Sequence, residues 1–224
     1  MEQKINKIYF RADGNKNMGL GHIIRSLALA EMLHQHYECH FVTSSKIPFL
    51  EKQILEICTS IIQLPKSENL LTEAANFAKN NLSGSEIVII DGYHFETDYQ
   101  TILKATGITL IAIDDIHATH FMADMIINHS GAIKQEDYLT EKYTQFCLGT
   151  DYALLRKPFR QPKRNLPKTL NWENVFICFG GADPKNHTLS TIKALQQHKK
   201  FKQYFVVLGG AYSHRATLEQ YIEK

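Results

Sequence analysis

Along most of the chain, short runs of β-branched and aromatic residues alternate with longer stretches whose apolar positions recur every three or four residues. Lys7–Arg11 (KIYFR), Cys39–Thr43 (CHFVT), Ile61–Leu64 (IIQL), Glu86–Asp91 (EIVIID), Ile108–Asp114 (ITLIAID) and Asp124–Asn128 (DMIIN) predict strands. Several are apolar on both faces, as a parallel sheet covered by helices requires. The stretches His22–Tyr37, Pro48–Cys58, Leu70–Leu82 and Glu96–Thr106 between them predict helices. Strand–helix alternation of this kind predicts an α/β fold with a doubly wound sheet.

The pattern breaks at Lys157–Lys168 (KPFRQPKRNLPK), which is rich in proline and basic residues. Such a stretch makes neither an ordinary helix nor a central strand. Residues 157–172 are therefore expected to link an N-terminal Rossmann-like domain, 1–156, to a second one, 173–224. Alternation then resumes with a strand at Asn174–Phe179, a loop at Gly180–Asn186, a helix at Thr188–Lys199, a strand at Tyr204–Leu208 and a helix at Ser213–Lys224. An open sheet usually has about four to six strands. The second domain is thus expected to be incomplete, either packing on another surface or continuing in a longer protein. Its open strand edges would favour self-association.

A formal charge of only +2 gives no nucleic-acid footprint. The cysteines Cys39, Cys58, Cys147 and Cys178 are far apart and form no CxxC pair, so they read as reduced thiols. No signal peptide and no membrane-spanning stretch is legible, and a cytoplasmic protein without membrane contacts is expected.

The chemistry gathers where predicted strands end. Arg11–His22 (RADGNKNMGLGH) joins the first strand to the first helix, at the sheet edge where open α/β sheets bind ligands. Gly19 and Gly21 would let the backbone approach a ligand closely. His22 would stand on the first helical turn, where the helix dipole disfavours an imidazolium and leaves a neutral base. Ile23, Ile24, Leu27, Ala30 and Leu33 would face the core, with Arg25 pointing the other way. The loop lacks the third glycine of GxGxxG, with Ile24 in its place, and the GK[ST] of a P-loop, which argues against dinucleotide and ATP sites. Asp91 and Tyr93 after the fourth strand, and Asp114 and Asp115 after the fifth, suit binding of sugar hydroxyls or orientation of a base, or else capping of the next helix. His117, His120 and His129 read as solvent-facing rather than as a zinc set. Gly180, Gly181 and Asp183 repeat the strand–glycine–helix pattern, and that helix N-terminus would suit a phosphate. Gly209-Gly210 reads as a turn. No metal and no cofactor is expected.

Taken in order, RADGNKNMGLGHIIRSLALAEML, IIDGYHF, the acidic pair in IAIDDIHATHFMADMIINHS, GTDYALLRKPF and ICFGGADPKN resemble the motifs of the PseG/SpsG family. These are the UDP-2,4-diacetamido-2,4,6-trideoxy-β-L-altropyranose hydrolases of pseudaminic acid biosynthesis and their spore-coat-polysaccharide relatives. The resemblance runs through essentially the whole chain. It implies a glycosyltransferase-B-type fold of two facing Rossmann-like domains and a UDP-sugar substrate. It implies His22 as the base for the attacking water, and the Gly180–Asp183 loop near the diphosphate. Asp13 is assigned here to orienting His22. Family members continue past the position of Lys224 with further nucleotide contacts, so this chain is expected to be weakly active or inactive by itself. The expected reaction is inverting, metal-independent hydrolysis to free sugar and UDP. The alternatives are a glycosyltransferase on the same scaffold and a non-catalytic sugar-nucleotide-binding module. Product analysis separates these readings.

Overall fold

The structure is a computed structural model in which residues 7–15, 19–67, 69–160, 173–198 and 200–223 are described. The chain divides into two compact units, Met1–Gly14 with Gly21–Gln161, and Asn15–Leu20 with Pro162–Lys224.

In the first unit the chain runs β1 (Lys7–Ala12), α1 (Gly21–Leu33), β2 (Glu38–Thr43), α2 (Glu51–Leu55), β3 (Ser60–Gln63), α3 (Leu70–Asn81), β4 (Ile87–Asp91), α4 (Thr97–Lys104) and β5 (Thr109–Ile113). It continues through β6 (His120–Phe121), β7 (Met125–Asn128), β8 (Leu139–Thr140) and β9 (Gln145–Leu148). Seven strands form one sheet in the order β3-β2-β1-β4-β5-β7-β9. Every pairing is parallel. This is the Rossmann-like arrangement, with its topological switch point between β1 and β4. The register there sets Ala12 against Asp91, so the loop after β1 and the last residue of β4 share one edge.

The sheet forms because its central strands are apolar on both faces. Ile8, Tyr9 and Phe10 of β1 and Val88, Ile89 and Ile90 of β4 are all buried. Each such side chain stabilises by about 1.5–3 kcal/mol on leaving water. On one face Phe77 and Ala74 of α3 and Tyr99 and Leu103 of α4 cover Tyr9, Val88 and Leu110. The start of α3 is fixed by Asn69, whose side chain accepts from the backbone N–H of Leu71 and Thr72. The sixth predicted strand proves not to be the last. β9 pairs with β7 and closes the edge of the sheet, while β6 and β8 make a separate two-stranded ladder.

The second unit carries β10 (Asn174–Cys178), α5 (His187–Gln196), β11 (Gln203–Val207) and α6 (Arg215–Ile222), with β10 and β11 parallel. Ile177 packs with Leu189, Ile192, Tyr212 and Leu218. The other face of this pair exposes Phe176, Phe205 and Val207. Gly209 begins the expected turn, closed by Tyr212 N–H on its carbonyl at 3.1 Å, and a side chain there would overlap the backbone of Gly181. Of the expected linker, Lys157–Phe159 forms a 3-10 turn tied to α1, with Lys157 N–H on Glu31 Oε2 at 3.1 Å and Arg160 paired to the same carboxylate at 2.6 Å. The rest of that stretch, 161–172, lies outside the described residues, as do 16–18 of the glycine loop.

No helix of the described residues is long and apolar enough to cross a membrane. The cysteines are free thiols. Burial pushes Cys39 up to about 11 and Cys58 up to about 12.

Candidate active site

His22, Arg25 and Ser26 stand at helical spacings i, i+3 and i+4, so α1 turns all three toward the same neighbour. That neighbour is Asp91, fully buried at the carboxyl end of β4. His22 Nδ1 lies 2.7 Å from Asp91 Oδ1. Nδ1 also lies 3.2 Å from Arg25 Nη2, and a neutral imidazole that donates to the Asp91 carboxylate carries its lone pair on Nε2. Nε2 has no hydrogen-bond partner among the described residues. Arg25 donates from Nε to Asp91 Oδ2 at 2.8 Å and from Nη2 to Oδ1, and Ser26 Oγ donates to Oδ2 at 3.4 Å. Arg25 also reaches Asp115 Oδ2 at 3.1 Å. Burial works against the guanidinium charge, but the Asp91 and Asp115 carboxylates outweigh it and hold Arg25 above the ordinary range.

Tyr93 closes the group. Its ring meets His22 edge-on, with centroids 4.8 Å apart and planes at 86°, and its hydroxyl donates to Asp115 Oδ2 at 3.4 Å. Burial and the Asp115 charge push the phenol up. Asp115 Oδ1 is buried without a hydrogen-bond partner among the described residues. Thus His22, Arg25, Asp91, Tyr93 and Asp115, five of the positions singled out in the sequence, form one connected cluster beside the switch point. Arg25 is turned into this cluster and fastens Asp91.

Asp13 requires a correction. The carboxylate on His22 belongs to Asp91, and Asp13 is engaged elsewhere. It pairs with Arg11 Nη2 at 2.7 Å and His94 Nε2 at 3.3 Å, and accepts from Thr43 Oγ1 and Ser44 N–H, each at 2.8 Å. The reason is the register of the sheet. Asp13 follows β1 on the side of β2, whose end supplies Thr43 and Ser44, while His22 faces β4. Burial disfavours the Asp13 charge, yet His94, Arg11 and Thr43 together hold its carboxyl far below the usual carboxylate range. Arg11 is itself fully buried, paired also with Glu73 at 2.7 Å and lying over the Phe95 ring at 4.9 Å.

Asp114 also stays out of the cluster. Its Oδ2 accepts from His117 N–H at 2.8 Å and from Tyr138 Oη at 3.0 Å, which fastens the loop after β5. Gly19 takes a positive φ of 79° and closes a backbone hydrogen bond to Asn15 O at 2.8 Å, just before Gly21 starts α1.

In the second unit Gly180 has φ 72°. Asp183 turns its carboxylate onto the start of α5, accepting from His187 N–H and Thr188 N–H at 2.8 Å each, and Asn186 Oδ1 accepts from Leu189 N–H at 3.4 Å. The helix end expected to bind a phosphate is therefore capped by the chain's own carboxylate, because Asp183 and Asn186 both precede it closely. Asp183 is a cap in this structure.

Sequence reasoning missed Arg11, Glu73, His94, Ser26 and Tyr138. The signal for His94 was present. A Cβ at Gly92 would lie 2.9 Å from His94 Cε1 and 3.0 Å from Phe95 Cε2, so the glycine of DGYHF makes room for both rings. Among the described residues, no group of three or more His, Cys, Asp or Glu side chains converges as metal ligands would.

Fold and site together define an α/β protein of the Rossmann-like class with a buried histidine–aspartate pair at its switch point. No protein-family model matches the chain. Among known proteins, it is 32% identical over 197 residues to the UDP-2,4-diacetamido-2,4,6-trideoxy-beta-L-altropyranose hydrolase of Campylobacter jejuni, covering 86% of this chain and 67% of that protein. It is 25% identical over 223 residues to the spore coat polysaccharide biosynthesis protein SpsG of Bacillus subtilis, covering 95% of this chain and 62% of that protein. It is 27% identical over 227 aligned positions to the uncharacterized protein MJ1062 of Methanocaldococcus jannaschii, covering 97% of this chain and 46% of that protein. The chain thus spans about half to two thirds of the length of these curated relatives. It belongs to the PseG/SpsG family.

Proposed function

We propose that this chain carries the hydrolytic centre of a UDP-sugar hydrolase acting on a diacetamido-trideoxy sugar. The observation that carries the reading is the 2.7 Å contact between His22 Nδ1 and the buried Asp91, with no partner on Nε2 among the described residues. A fixed tautomer with a free lone pair is what a general base needs. Similarity to the Campylobacter jejuni hydrolase supplies the substrate class.

In this mechanism water attacks the anomeric carbon while Nε2 takes its proton. The bond from that carbon to the diphosphate oxygen breaks, and its electron pair leaves on UDP. The transition state has oxocarbenium character, and attack opposite the leaving group inverts the anomeric centre. Asp91 holds the imidazole in place and stabilises the imidazolium as it forms. Arg25 and Ser26 in turn hold Asp91. Asp115, shared by Arg25 and Tyr93, is an acceptor for a sugar hydroxyl or amide. No step calls for a metal ion, since the base is an imidazole oriented by a carboxylate.

The test is product analysis by proton NMR after incubation with the UDP-diacetamido sugar. Free sugar and UDP in equal amounts support hydrolysis. A product formed only when an acceptor sugar is added would instead show a glycosyltransferase.

A further inference from the structure

The loops after β4 and β5 enclose a pocket of about 60 Å³. Whole-ligand sites run to roughly 300–1,000 Å³, so this space is too small for a sugar ring or a nucleobase. It has room for a substituent of a few heavy atoms, since about 10–15 Å³ of such space is enough to hold one water. Ile90, Phe95, Ala112, Ile113, Asp114 and Phe121 are buried members of its lining, and Ala118 in the lining is exposed. Glu96 and Asp114 supply carboxylates and no lining residue is a cation. This chemistry rejects phosphate and suits a neutral group with an apolar end.

The walls are fixed in advance. His117 adopts φ 42°, a left-handed conformation uncommon for a non-glycine residue, and its N–H is held by Asp114. Thr119 Oγ1 meets Thr97 Oγ1 at 3.0 Å, and Thr97 Oγ1 donates to His120 O at 2.8 Å. Tyr93 also lines the pocket while its ring stands edge-on to His22. A group in the pocket is therefore one aromatic ring away from the base, within reach of a substituent on the sugar being cleaved.

We infer that this pocket is a subsite for an N-acetyl group of the sugar, its methyl end lodged between Phe95, Ala112 and Phe121. The inference rests on the sugar-nucleotide reading above. Saturation-transfer NMR with the UDP-diacetamido sugar tests it, because the acetyl methyl singlets, the C6 methyl doublet and the uracil protons are read separately. One acetyl singlet is expected to carry the strongest saturation of the sugar signals. Ala118→Leu, at an exposed position, is expected to abolish that excess while the uracil signals persist and the melting temperature holds. An acetyl singlet no stronger than the ring protons, or unaltered by Ala118→Leu, would overturn the assignment. So would the strongest saturation falling on the C6 doublet. Saturation of uracil alone would sink the subsite and leave nucleotide binding standing. No saturation of any proton would overturn both.

Discussion

Replacing Asp91 with Asn keeps the shape of the side chain and removes its charge, at a position with no solvent exposure. Two consequences can be worked out. The amide can donate to His22 Nδ1 across the present 2.7 Å contact, which drives the imidazole proton to Nε2 and blocks the base. The charge that stabilises the imidazolium is lost as well. A swap of this kind in a histidine–aspartate couple costs about 10⁴ in turnover. The second consequence is structural. Arg25 is left with Asp115 as its one carboxylate among the described residues, at 3.1 Å and partly exposed. Stranding a buried charge costs about 3–5 kcal/mol, and the surviving Asp115 contact places this case near the lower end. At about 2–4 °C per kcal/mol for a chain of this size, the melting temperature should fall by roughly 6–12 °C. The assays are thermal unfolding, turnover, and a long-range proton–nitrogen NMR spectrum of the His22 ring. The spectrum reads the tautomer whether or not the protein turns over. An Asp91→Asn protein with an unchanged melting temperature and Nδ1 still protonated would refute the reasoning.

Replacing His22 with Gln should leave the circular dichroism spectrum intact and lower turnover by about 10²–10⁴, whereas near-normal turnover would remove His22 from the mechanism. Asp13 sets an acid limit. Its carboxyl is held below the ordinary range, so its stabilising contribution is present above about pH 4 and is lost as pH falls through the folded value. Melting temperature should therefore fall less steeply below pH 5 in Asp13→Asn than in the parent chain, and parallel curves would contradict this. Dialysis against EDTA should leave turnover unchanged, and activity restored only by Mg²⁺ or Mn²⁺ would refute a metal-free reaction.

The central strands were legible because β1, β4 and β5 are apolar on both faces, which leaves little ambiguity in period or burial. β9 was not. Its four residues, QFCL, are only partly buried at the sheet edge, and their pattern is too short to stand out. Of the site, the glycine loop, His22 and the strand-end carboxylates could be read from spacing alone. Which carboxylate meets His22 could not, because it depends on β4 rather than β2 lying next to that side of β1. Arg11 was hidden for a related reason. A charged residue inside a strand reads as a surface position until Glu73 arrives from α3 and Asp13 from the following loop. Nor could the sequence show that Asp183 would use its carboxylate to cap α5. In a glycine-rich helix entry, the same residue types serve to cap a helix and to bind an anion.

The most direct test of the central claim is the fate of the solvent oxygen. Water labelled with ¹⁸O, incubated with this chain and the UDP-diacetamido sugar, should yield unlabelled UDP, because the bond to the anomeric carbon is the one that breaks. UDP carrying ¹⁸O in its terminal phosphate would place the attack on phosphorus and contradict a base at His22 acting on the sugar.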